Sequence, residues 1–172
     1  MEAMAVQAGV TKPILYRHFG DREGLVAALA ERFFAGVSDR LTGALGTAGD
    51  PRSQLHAGID AYVSFIEAEP ALYRFLMQHG GHRSGETITA FAHQIGRRIA
   101  TLLGDRLSEL GLDTGAAEPW AYGIVGMVHL TGDWWVDRQT ISRERLVDYL
   151  TNLLWAGLIG GSPPADGPDT TR

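Results

Sequence analysis

Between Thr11 and Arg22 the chain gathers side chains that donate hydrogen bonds or carry positive charge: Thr11, Lys12, Tyr16, Arg17, His18 and Arg22. Lys12 is the only lysine in the sequence. Donors of these types, held close together, suit phosphate oxygens and the acceptor edges of bases. Against Lys12, Arg17 and Arg22 stands only Asp21, so this surface is locally positive on a chain of formal net charge -5. That suffices for docking on a polyanion and is too little for tight binding by one copy.

Local sequence supplies the elements that hold these side chains. Gly9 follows a short helical run over 4–8 and offers the permissive backbone of a helix C-terminus. Val10 is an apolar plug between two helices. Thr11 is placed to N-cap the next helix, with Pro13 in its first turn, where a missing N–H costs nothing. Leu15 and Phe19, four apart, give that helix one buried stripe, leaving Lys12, Ile14, Tyr16, Arg17 and His18 on the other face. Asp21 then stands at the N-cap of a following helix. The pattern is a helix-turn-helix.

The residue string resembles the DNA-binding motif of TetR-type bacterial transcriptional regulators. Its carriers are Gly9, Val10, Thr11, Leu15, Tyr16, His18, Phe19, Arg22, Glu23 and Leu25, while Gly24 sits where many relatives have a bulkier residue. The close match covers roughly the first 30 residues; beyond them the resemblance is architectural. It implies an all-α fold, with an N-terminal helix-turn-helix followed by a helical effector-binding and dimerisation domain. The expected units are a DNA-binding module over 1–26, the helical domain over 27–160 and a disordered tail over 161–172. It also implies that Thr11 and Tyr16 hold phosphates with help from Arg22. Lys12, Pro13, Ile14 and Arg17 would face base edges or neighbouring phosphates, and His18 the backbone.

At 172 residues and 45% hydrophobic, the chain is long enough for one or two helical modules with a real core. It has no cysteine, which excludes disulfides and thiolate metal sites. No apolar run is long enough to cross a bilayer and no signal-peptide pattern opens the sequence, so a cytoplasmic protein without membrane contact is expected. After Phe19 the periodicity is helical. Leu25, Leu29, Phe33, Val37 and Leu41 recur four apart, predicting one long helix to about Leu45. Breaks at 46–51, before Pro70, at 79–85 and at 111–119 divide the remainder. The last two helices are predicted near 119–136 and 142–158.

No Ser–His–Asp order, phosphate-cradling loop or paired-carboxylate site emerges, so neither an enzyme nor a cofactor is expected. His79 and His82 with Glu67 and Glu69 lack the fixed geometry of a metal site. His129 reads as a core histidine or a polar group of a pocket. The bulky residues Tyr62, Phe65, Phe91, Trp120, Met127 and Trp134 are candidate lining for a pocket that takes a small hydrophobic or aromatic effector. The final helix is apolar on more than one face. Leu146, Leu150, Leu153 and Leu154 are therefore expected at a homodimer interface, which Leu154→Arg should weaken.

These features predict a homodimer that binds a palindromic double-stranded DNA operator and acts as a repressor released by an effector. The alternative is a shortened ligand-binding and dimerisation module of such a regulator, with little DNA binding of its own. In the family a further helix precedes the helix-turn-helix. With Met1 so near Ala5, the expectation is that Val6, Val10, Leu15 and Phe19 are partly uncovered, and that operator binding is weak until upstream residues are restored.

Overall fold

The computed structural model describes residues 2–47, 49–79 and 81–160, all-α among these residues. The chain forms α1 (Glu2–Gln7), α2 (Lys12–Phe19), α3 (Arg22–Thr47), α4 (Pro51–Ala68), α5 (Pro70–His79), α6 (Gly81–Glu109), a 3-10 turn (Thr114–Ala116), α7 (Ala117–Arg138) and α8 (Arg143–Gly160). The expected tail over 161–172 and the side chains of His79 and His82 lie outside the described residues.

Each break has a local cause. Gly9 adopts φ 66°, and Val10 N–H donates to the Ala5 carbonyl while Gly9 N–H donates to that of Val6. These two bonds satisfy carbonyls that the end of α1 leaves open. Asp50 caps α4 by accepting from the Arg52 and Ser53 amides, with Pro51 in the first turn. Gly111 repeats the left-handed stop after α6. The connection expected over 79–85 is shorter, because α6 begins at Gly81. Each glycine weakens a helix by only about 1 kcal/mol, and packing along the remainder of α6 outweighs that loss. Likewise α7 starts at Ala117, ahead of the expected Pro119, which sits in its first turn.

One core joins the helices. Val26, Ala30, Phe33 and Val37 of α3 pack with Ile59, Val63 and Ile66 of α4, Tyr73 and Leu76 of α5, Trp135 and Val136 of α7, and Leu146, Val147 and Leu150 of α8. Polar contacts fix the remaining elements. Arg143, opening α8, pairs with Asp60 at 3.1 Å and Glu67 at 2.9 Å on α4. Arg74 of α5 pairs with Asp137 at the end of α7 at 2.8 Å. The buried Trp135 indole donates to the Ile141 carbonyl at 2.8 Å, tying the α7–α8 link to the core. The expected domain boundary at 26/27 falls inside α3, which runs unbroken from Arg22 to Thr47.

Candidate functional site

The first site is the surface of α2. Leu15 is buried and anchors the helix, while Phe19 and Val10 are half-buried and Val6 is 78% exposed. Thr11 occupies the N-cap with extended backbone, yet its hydroxyl makes no capping bond. That hydroxyl and the Lys12 amide are left as donors, because Pro13 has no N–H and the Ile14 and Leu15 amides donate to the Thr11 carbonyl. Thr11, Lys12, Pro13, Tyr16, Arg17, His18 and Arg22 are exposed, and Ile14 is half-buried. Lys12, Arg17 and Arg22 have no ion-pair partner among the described residues.

A very tight turn sets the angle between α2 and α3. Gly20 has φ 75° and ψ -67°, and Asp21 N–H returns to the Phe19 carbonyl at 2.9 Å, a γ-turn of the positive-φ hand. Asp21 accepts from the Gly24 amide at 2.7 Å, the capping role its sequence position predicts. A Cβ placed on Gly24 would lie 2.0 Å from the Phe19 carbonyl oxygen. The absence of a side chain at Gly24 thus permits the close approach of the two helices.

The second site is a cavity of about 540 Å³ between α3, α4, α6, α7 and α8. Phe34 and Phe91, stacked with centroids 4.5 Å apart, stand at its inner end. There Tyr62 Oη lies 3.0 Å from His129 Nδ1 and 3.4 Å from Tyr73 Oη. Burial pushes the Tyr62 phenol well up and that of Tyr73 up to about 12, and holds the His129 imidazole below its ordinary value. This chain of hydroxyls and imidazole is therefore neutral near pH 7. Leu41, Leu45, Gly58, Ile95, Ile99, Leu102 and Trp155 continue the lining, and Arg98, Asp105, Arg106 and Glu109 bring charge to it.

Of the six residues expected to line a pocket, the cavity brings together Tyr62 and Phe91. The other four lie outside its lining. Phe65 turns to α3, its ring 4.8 Å from Phe33 with the Arg40 guanidinium above it. Met127 and Trp134 lie on the outward face of α7, opposite the one buried in the core, and Trp120 is half-buried on α7 away from the cavity. Residue size in the sequence does not report which side of a helix faces the bundle. Gly58 and Arg98 escaped that reading, although the signal exists: Arg98 interrupts the apolar spacing Ile95, Ile99, Leu102 on the face of α6.

The expected interface residues differ in exposure. Leu146, Leu150 and Leu154 are buried within the protomer against α4, and Leu154 is only 8% exposed. Leu153 is 61% exposed and shares its outward stripe with Tyr149 and Gly157. Leu130, Met127 and Trp134 form a matching exposed stripe on α7. Among the described residues no group of acidic and histidine side chains could hold a metal ion, and no helix is long and apolar enough to cross a membrane.

Known proteins share both halves of this arrangement. Residues 1–29 match the family profile of bacterial regulatory proteins, tetR family, and residues 40–170 match that of the tetracyclin repressor-like C-terminal domain. An uncharacterized HTH-type transcriptional regulator of Mycobacterium tuberculosis is 36% identical over 161 residues, 93% of this chain and 69% of the relative. The HTH-type transcriptional activator FasR of Mycolicibacterium smegmatis is 26% identical, over 92% of this chain and 73% of the relative. The crystal structure of the TetR family transcriptional regulator PfmR from Thermus thermophilus shares the fold. It superimposes with a TM-score of 0.64 at 18% identity, covering 89% of this chain and 85% of that one.

Proposed function

The chain belongs to the TetR family of bacterial regulatory proteins, and from that premise we propose that it is a repressor released from a palindromic operator by a small-molecule effector. As a member it is a DNA-binding transcriptional regulator and not an enzyme. Regulators of this family also dimerise. In our reading the dimer forms through the outward stripes of α7 and α8, centred on Leu130, Trp134 and Leu153. The two α2 helices then enter successive major grooves, about 34–36 Å apart. Lys12 contacts guanine, Arg17 base edges or phosphates, and Thr11, Tyr16 and Arg22 the phosphates. The protein acts in the cytoplasm.

One observation carries the regulatory part: α3 packs on α2 where Gly24 meets the Phe19 carbonyl, and lines the cavity at Phe34, Leu41 and Leu45. A ligand that favours one tilt of α3 over another changes the spacing of the two α2 helices. It acts only through unequal affinity for the two arrangements. Selection from a randomised duplex library should return a palindrome whose half-sites lie one helical turn apart. A compound that raises the melting temperature should also release the selected fragment. A compound that stabilises the protein yet leaves its DNA affinity unchanged would refute the coupling.

A further inference from the structure

The cavity has direction. The Phe34–Phe91 stack forms one cross-link between α3 and α6, and the bond from Arg98 Nη1 to Thr42 Oγ1, at 3.2 Å, forms a second. Eight residues of α3 separate these rungs, about 12 Å at 1.5 Å per residue, and the lining continues past them to Leu45 and Glu109. The space is therefore a channel along α6, walled by branched aliphatic side chains. Its inner end asks for no polar group from a ligand. Tyr62, Tyr73 and His129 already meet one another there, and the Phe34 and Phe91 rings stack on each other.

Charge enters further along. Arg106 is paired with Glu109 at 2.6 Å. Arg98 has only the Thr42 hydroxyl, with no carboxylate partner among the described residues, and Asp105 lies two turns beyond it on α6. One guanidinium without a carboxylate partner suits a singly charged head better than a phosphate dianion, and its fork matches a carboxylate. We propose that the ligand of this cavity is an unbranched apolar chain ending in a carboxylate, its chain along α6 toward Phe91 and its head on Arg98. This rests on the reading of the cavity as the effector site.

The test uses the full chain and three probes below their micellar concentrations: dodecanoate, dodecan-1-ol and hexanoate. Tryptophan fluorescence reports binding through Trp155 in the lining, with the melting temperature as a second readout. Dodecanoate should bind about tenfold more tightly than dodecan-1-ol, the value of one charge-assisted hydrogen bond. Hexanoate should be far weaker. Arg98→Gln should abolish the acid preference while leaving dodecan-1-ol unaffected, and Arg98→Lys should keep part of it. A Cβ at Gly58 meets only Leu45 and Leu41, at 3.8 and 4.0 Å, so Gly58→Leu should fold and block both twelve-carbon probes. If the alcohol binds as well as the acid, or Arg98→Gln keeps the preference, the carboxylate head is wrong while the effector site stands. If neither twelve-carbon probe binds, the chain assignment falls. If a panel of unrelated apolar compounds is then equally silent in wild type and Gly58→Leu, the effector site falls too.

Discussion

Gly24→Ala tests the joint between the DNA-binding surface and the rest of the molecule. Alanine in place of glycine within a helix normally stabilises by about 0.5–1 kcal/mol. At this position the added Cβ would sit 2.0 Å from the Phe19 carbonyl oxygen, and ordinary contact begins at 3.4 Å. The opposing atom is backbone, held in a γ-turn closed by the Asp21 amide, so no side chain can swing aside. The α2 helix must move away from α3 by more than an ångström. Overpacking of this kind costs about 1–3 kcal/mol, reduced by the gain in helix propensity, for a net loss of up to about 2 kcal/mol. Because Leu15 and Ala5 are the buried anchors of the first two helices, the loss should be local. Amides of α1 and α2 should exchange faster by roughly tenfold or more, a factor of ten being 1.4 kcal/mol, while the α4 and α8 amides stay protected. DNA affinity should fall as well, since hydrogen bonds to DNA tolerate only about 2.7–3.2 Å. Gly43→Ala, on the same helix with nothing within 4 Å of the new Cβ, should stabilise slightly and bind DNA normally. If Gly24→Ala behaves like Gly43→Ala in both assays, the close approach of α2 and α3 is not as described.

Leu153→Arg should yield folded monomers in sedimentation, because Leu153 is 61% exposed. Leu154→Arg should instead unfold the protomer, placing an unpaired charge at an 8% exposed core position; a folded dimer of Leu153→Arg would remove the assigned interface. His129, held below its ordinary pKa of 6.5 by burial with Asp133 opposing, binds fewer protons folded than unfolded. Stability is therefore full above pH 6.5 and declines as pH falls through the depressed value, and His129→Gln should flatten this slope in melting scans kept above pH 4.5. Lys12→Ala should cost about 1–3 kcal/mol of operator binding and relax the preference for one guanine, whereas Arg22→Ala should weaken all sequences alike and reduce the salt slope by about 1. Equal, sequence-blind losses in both variants would show that Lys12 reads no base.

Local chemistry alone determined the first 25 residues and the helix count. Gly9, Pro13 and Asp21 act over three or four residues, so their roles at helix ends are legible in order along the chain, whereas Thr11 takes the N-cap position without the capping bond its type predicts. The four-residue spacing from Leu25 to Leu41 likewise announced α3, because a helix that buries one stripe must repeat it. What the spacing could not decide is which partner each apolar face meets. On α8 the apolar arc covers two adjacent faces: Leu146, Leu150 and Leu154 turn to α4, while Tyr149, Leu153 and Gly157 turn outward. Burial against the chain itself and burial against a second copy demand the same residue types. The cavity was harder still. Its walls come from five helices, and its distinguishing members, Gly58 and Arg98, matter through what surrounds them. An empty volume is a property of how helices fail to fill space between them, and no single helix carries that information.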